Sequence, residues 1–166
     1  MAARILVAYA TKLGSTREIA DRIGEELLAA GHLAEVSNVT DVHSLENVDA
    51  VVLGSALYAA HWQRDANRFV TRHADALRAV PVWLFSSGPL DRWQAALNLP
   101  ITPHAAEITA AIEAREHRTF GGRLDAGADV DPQVLATHPI GDFRNWDTIR
   151  AWARSIAAEL SAPSEA

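Results

Sequence analysis

The chain predicts an α/β fold, a three-layer sandwich with a five-stranded parallel sheet between two helical layers. Two observations lead there. Residues 4–10, 49–55 and 81–86 are short apolar runs without alternation, the pattern of strands covered on both faces. Between them lie longer segments whose apolar residues recur every three or four positions, the pattern of helices with one buried stripe. Strand and helix alternate about five times, which calls for parallel strands joined by right-handed crossovers.

The elements follow in order. Residues 4–10 read as the first strand, and residues 15–30 as a helix with Ile19, Ile23 and Leu27 on one face. Ser15-Thr16-Arg17-Glu18 fits a capping box at its start, and Gly31 fits a stop. Residues 32–39 alternate and read as a second strand, with a short helix expected over 42–46. Residues 49–55, "DAVVLGS", form the next buried strand. The helix over 63–79 carries Ala66, Phe69, Val70, His73 and Leu77 on one face, and "PVWLFS" at 81–86 is a further strand. Residues 87–102 are irregular. Thr102 caps a helix with Pro103 at its first position and Ile108 and Ile112 as its stripe. "TFGGRLD" at 119–125 reads as the last strand, without a long insertion, and its paired glycines point to a close backbone approach. Residues 145–160 form the clearest helix, with Ile149, Trp152, Ile156 and Leu160 on one face and Asn145 as cap. One domain over residues 1–161 and a frayed tail over 162–166 are expected.

Composition narrows the function. The 166 residues contain no cysteine, which excludes disulfides, thiolate metal sites and a thiol nucleophile and fits a cytoplasmic location. The formal charge of -6 and the lack of a basic cluster make nucleic acid an unsuitable partner. The apolar N-terminal run is too short for a membrane span. The seven histidines show no metal-ligand spacing, and "DAGADVD" at 125–131 lacks the terminal glutamate of a calcium loop. No Gly-x-Ser-x-Gly elbow is present.

In parallel α/β sheets, ligands bind beyond the carboxyl ends of the strands, so the loops at 11–16, 55–62 and 86–103 carry the functional interest. The first reads "TKLGST". Its glycine permits a tight path, and the helix that follows offers N–H groups and a favourable dipole to an anion. Thr11, Ser15 and Thr16 add hydroxyls, and Lys12 adds a charge. A phosphate monoester suits this loop. A plain helix cap at Ser15 with a turn residue at Thr11 would explain the same residues.

"TKLGST" resembles the phosphate loop of flavodoxins, Ser/Thr-x-x-Gly-x-Thr, which wraps the phosphate of FMN. "DAVVLGSALYAAHW" resembles the third strand and following loop of that superfamily. "REIADRIGEELLAAGH", "HRTFGGRLD" and "NWDTIRAWARSIAAEL" resemble its menaquinone-dependent protoporphyrinogen oxidase branch. The resemblance implies strand order 2-1-3-4-5 and FMN as cofactor. Thr11, Lys12, Leu13, Gly14, Ser15 and Thr16 would hold the phosphate. Ser55, Ala56, Leu57 and Tyr58 would run beside the flavin ring, and Ser86, Ser87 and Gly88 would border its other side. Tyr58, Trp62 or Trp93 would cover a ring face. Weaker acidity than that of electron-carrying flavodoxins, and no insertion in the last strand, favour the oxidase branch. There the electrons of a porphyrinogen pass to a quinone, and the irregular segment after the fourth strand would be the place for substrate or membrane contact.

No catalytic residue is singled out; His61 is the nearest candidate for proton transfer. Each aromatic also has a packing reading. For Trp62 that is contact with a neighbouring element at a helix start; for Trp83, Trp146 and Trp152 packing is expected outright. Three functions stay open: an FMN-dependent oxidoreductase acting on a small molecule or quinone, a carrier that hands electrons to a redox protein, and a binding module without the flavin.

Overall fold

The computed structural model describes residues 2–58, 61–88, 101–128, 132–137 and 140–162. In chain order, β1 (Arg4–Ala10) leads into α1 (Ser15–Ala29), β2 (Leu33–Asn38) and a 3-10 turn (Val39–Asp41). Next come β3 (Ala50–Tyr58), the two-residue β4 (His61–Trp62), α2 (Arg64–Arg78), β5 (Val82–Gly88) and α3 (Pro103–Ala111). The last part holds β6 (Glu116–Gly121), β7 (Arg123–Leu124), α4 (Pro132–Thr137), β8 (Gly141–Asp142) and α5 (Trp146–Ser161).

The five long strands pair in parallel in the order β2-β1-β3-β5-β6. Counted over these strands, that is the expected 2-1-3-4-5. β4 adds a short sixth strand, antiparallel to β3, and β7 with β8 makes a separate two-stranded sheet. Alternation along each strand divides the core into two layers. Ile5, Val7, Val52, Trp83 and Phe85 pack with Ile19, Ile23, Trp152 and Ile156 of α1 and α5. Leu6, Ala8, Val51, Leu53 and Leu84 pack with Phe69 and Leu77 of α2 and with Ile108 of α3. Trp83 and Trp152 are core residues, as their periodicity implies.

The caps at Thr102 and Asn145 form. Thr102 Oγ1 accepts from the Ala105 N–H at 3.3 Å, and Asn145 Oδ1 accepts from the Thr148 N–H at 3.1 Å. Gly31 ends α1 with a φ of 96°.

Three local expectations are corrected. No helix forms over 42–46. Asn38 starts a turn earlier instead, its Oδ1 accepting from the Thr40 N–H at 3.0 Å and its hydroxyl at 2.9 Å. The capping box does not form: Gly14 is the N-cap of α1 with a φ of 91°, and among the described residues no side chain caps that helix. The last strand does not run unbroken to Asp125. It leaves the sheet after Gly121, and the chain passes through β7, α4 and β8 before α5 begins. The two glycines explain the break. A Cβ on Gly121 would lie 2.2 Å from the Phe143 carbonyl oxygen, and one on Gly122 would lie 2.7 Å from that of Gly88. The close approach expected there is therefore real, and it seats the returning chain against the sheet. Among the described residues no helix is long and apolar enough to cross a membrane. The tail at 163–166 lies outside the described residues.

Candidate functional site

Strand register brings the predicted loops to one edge of the sheet. Ala10 pairs with Ser55, Ser55 with Ser86, Ala56 with Ser87, and Gly88 with Gly121. Residues 11–16, 55–57 and 86–88 therefore share the carboxyl end of the sheet, from β1 across β3 and β5 to β6.

The loop at 11–16 is shaped by its own hydroxyls. Thr11 Oγ1 accepts from the Gly14 N–H at 3.0 Å, and the left-handed φ of Gly14 turns the chain into α1. No Cβ clash enforces that glycine, so the backbone angle is the reason for it. Ser15 Oγ accepts from the Arg123 N–H at 3.1 Å, which fastens the helix start to β7. Both hydroxyl oxygens act as acceptors in these bonds, so both keep a proton to donate. Thr16 is fully buried, and its hydroxyl has no hydrogen-bond partner among the described residues. Among those residues no side chain caps α1 either, so the N–H groups of its first turn and the Thr16 hydroxyl can donate to an anion. Lys12 is exposed.

Glu18, expected to reach back as part of a cap, turns outward to two arginines. Arg123 Nη1 lies 3.1 Å and Arg144 Nη1 2.8 Å from its carboxylate. Arg144 also forks onto Asp142, with Nε and Nη2 at 2.8 and 2.7 Å from the two carboxylate oxygens, and lies 4.7 Å over the Trp146 ring. Its side chain is 3% exposed. The hydrogen bond from Arg144 holds the Asp142 carboxyl below its ordinary value. This clasp ties the excursion between β6 and α5 to the first turn of α1.

The β3–β4 side is held from several directions. Ser55 Oγ accepts from the Gln63 N–H at 2.9 Å and donates to the Ala56 carbonyl at 3.0 Å. Trp62 is 3% exposed and packs among Leu53, Ala66 and Leu84. That burial replaces the expectation of a ring-covering Trp62: an indole inside the core has no face to offer a ligand. Its Nε1–H donates to Ser86 Oγ at 2.8 Å, and its backbone N–H donates to His104 Nδ1 at 3.2 Å. Ser86 Oγ also lies 2.7 Å from His117 Nε2. Burial pushes His117 down to about 4, so the ring is neutral at pH 7. Ser86 is fully buried and Ser87 nearly so, while Ala56 and Leu57 are half-buried. The Tyr58 side chain and Trp93 lie outside the described residues. His61 is exposed, and its ring lies tilted against that of His104 with centroids 4.8 Å apart. No group of three potential metal ligands occurs among the described residues.

Sequence reasoning missed Arg123, Arg144, His104 and His117. The one available signal was a histidine at an inward-facing position of β6, and nothing in its spacing connects it to a serine 31 residues earlier.

This architecture defines a class. The flavodoxin domain model matches residues 6–127, and the chain belongs to that family. Curated relatives include the protoporphyrinogen IX dehydrogenase [quinone] of Escherichia coli (strain K12), 34% identical over 85 residues, or 50% of this chain and 47% of that protein. The protein of the same name from Escherichia coli O157:H7 matches equally. The match thus spans about half the length of these relatives. Among solved structures, the rubredoxin oxygen:oxidoreductase of Desulfovibrio gigas superposes with a TM-score of 0.63 at 13% identity, over 96% of this chain and 37% of that one. A flavodoxin from the domain Archaea gives 0.61 at 14%, over 96% and 99%. Flavodoxin 2 from Bacillus cereus gives 0.60 at 23%, over 95% and 99%. At these identities the structural likeness establishes the fold.

Proposed function

We propose that the chain is an FMN-dependent oxidoreductase that passes electrons from a small reduced substrate, a porphyrinogen first among candidates, to a quinone. The observation that carries this reading is the uncapped start of α1 beside the buried, unpartnered Thr16 hydroxyl. A phosphate monoester supplies the acceptor that those groups lack, and the helix dipole favours its charge. Thr11 and Ser15 donate the protons left over from their internal bonds, and Lys12 adds positive charge. Leu13 and Gly14 complete the turn. Ser55, Ala56, Leu57 and Tyr58 border the ring on one side, Ser87 and Gly88 on the other, and Tyr58 or Trp93 covers it. FMN supplies electron and hydride transfer when bound; the chain binds it, orients it and keeps water from its buried edge. The family and the activity named for the curated relatives support the reading. It treats residues 1–161 as one working domain in the cytoplasm.

The test is a titration of the purified protein with FMN, followed by flavin fluorescence and absorbance. Binding quenches the fluorescence and shifts the absorption bands. Thr16→Ala and Ser15→Ala each remove a hydrogen bond to a charged group and weaken binding by about 1–3 kcal/mol. No spectral change in the wild type refutes FMN binding, and unchanged affinity in both variants refutes the loop. Turnover of a quinone by the FMN-loaded protein separates an enzyme from an electron carrier.

A further inference from the structure

We infer that His117 is a positioning residue: acting through Ser86 and Trp62, it latches β4 against the end of β3, beside the residues assigned to the ring site. The inference rests on the flavin reading for its consequence and on geometry for the latch itself.

Hydrogen-bond chemistry sets the direction of the chain. An indole N–H only donates, so at 2.8 Å Ser86 Oγ is its acceptor. The Ser86 hydroxyl can then give its proton to His117 Nε2 at 2.7 Å, and the latch takes that direction, with the neutral imidazole carrying its own proton on Nδ1. Burial favours the same state. The arrangement resembles a serine nucleophile beside its base, but Ser86 has no exposed surface and the imidazole is a weak base where it stands. Ser86 is out of reach of any substrate and His117 is half-buried, so the work of the pair is mechanical.

What it holds is β4. Trp62 pairs with Leu57 across the β3–β4 ladder. Its indole is anchored by Ser86, its own N–H by His104 on α3, and the next residue's N–H by Ser55. Ser86 thus turns away from the ligand set and links β6 to β4. Trp62 stands behind the site as its support. Without the His117 acceptor, the Ser86 proton is buried and unpaired, and the hydroxyl turns from the indole to find another partner. The indole is then the group left unsatisfied, and β4 loosens from β3.

The experiment compares FMN with riboflavin, which has the ring and lacks the phosphate, on the full chain. His117→Leu weakens both ligands by the same factor, about tenfold. His117→Gln, whose amide keeps an acceptor near the Nε2 position, restores both. Thr16→Ala weakens FMN alone. Hydrogen exchange in the flavin-free protein reads the latch by itself: the Trp62 and Gln63 amides exchange about tenfold faster in His117→Leu than in the wild type. Ser86→Ala gives the same acceleration if the leucine variant does not fold. A folded His117→Leu that binds both flavins as the wild type does, or loses FMN affinity alone, overturns the inference. So do unchanged amide rates. Failure of the wild type to bind either flavin refutes the flavin reading and leaves the exchange measurement to decide the latch.

Discussion

Stability between pH 7 and 4.5 should depend on His117, and the size of the effect follows from its burial. An unfolded histidine titrates near its ordinary value of 6.5, whereas the folded one is held down to about 4. In that window the unfolded chain binds a proton that the folded chain refuses. Stability is therefore fully present above pH 6.5 and falls as the pH drops toward 4. Between pH 7 and 4.5 the linkage amounts to about 2 kcal/mol. His73 is also held below 6.5, by burial and then by Arg72, and contributes in the same direction. The comparison must therefore be with His117→Gln, which retains His73 and removes one titration. Urea unfolding of both proteins at a series of pH values measures it. The wild type should lose about 2 kcal/mol more than the variant over this range. Parallel losses would refute the depressed titration of His117.

Two further outcomes test the closure of the site edge. Gly121→Ala places a methyl group against the Phe143 carbonyl, where only backbone movement relieves it, and should cost about 1–3 kcal/mol. Gly127→Ala, with open space around it, should stay within about 0.5 kcal/mol in the same thermal or urea melts. Arg144→Met leaves the carboxylates of Glu18 and Asp142 without their shared cation. Those carboxylates are 45% and 43% exposed and regain water, so the expected loss is about 1–3 kcal/mol rather than that of a sealed pair. In a nuclear magnetic resonance titration the Asp142 carboxyl should rise toward its ordinary value. In the wild type its contribution persists above the ordinary carboxylate range and is lost as the pH falls through the depressed value.

Much of the architecture is legible in one dimension because burial has a period. The unbroken apolar runs became β1, β3 and β5, and the stripes through Ile19, Phe69 and Ile149 became the faces of α1, α2 and α5. Caps at Thr102 and Asn145 were legible because they act within three residues. The capping box at 15–18 misled for the opposite reason. Ser15 and Glu18 have the right local spacing, but their partners, Arg123 and Arg144, come from 108 and 126 residues away. A local rule cannot weigh a competitor that arrives from the far end of the chain.

The ring-side residues show the same division. That Ser55, Trp62 and Ser86 sit at the ends of successive elements follows from their order along the chain. Whether each faces a ligand or the core depends on strand register and on what lies opposite. Register put His117 within reach of Ser86, and Ser86 within reach of Trp62, so two residues read as ligand contacts became supports. By itself the sequence determined the layers, the strand order through its family likeness, and the place of the loop at 11–16. Only the tertiary structure decided which hydroxyls in those loops are already engaged. A hydrogen bond joins whichever groups the backbone path brings within about 3 Å, and no periodic pattern records that distance.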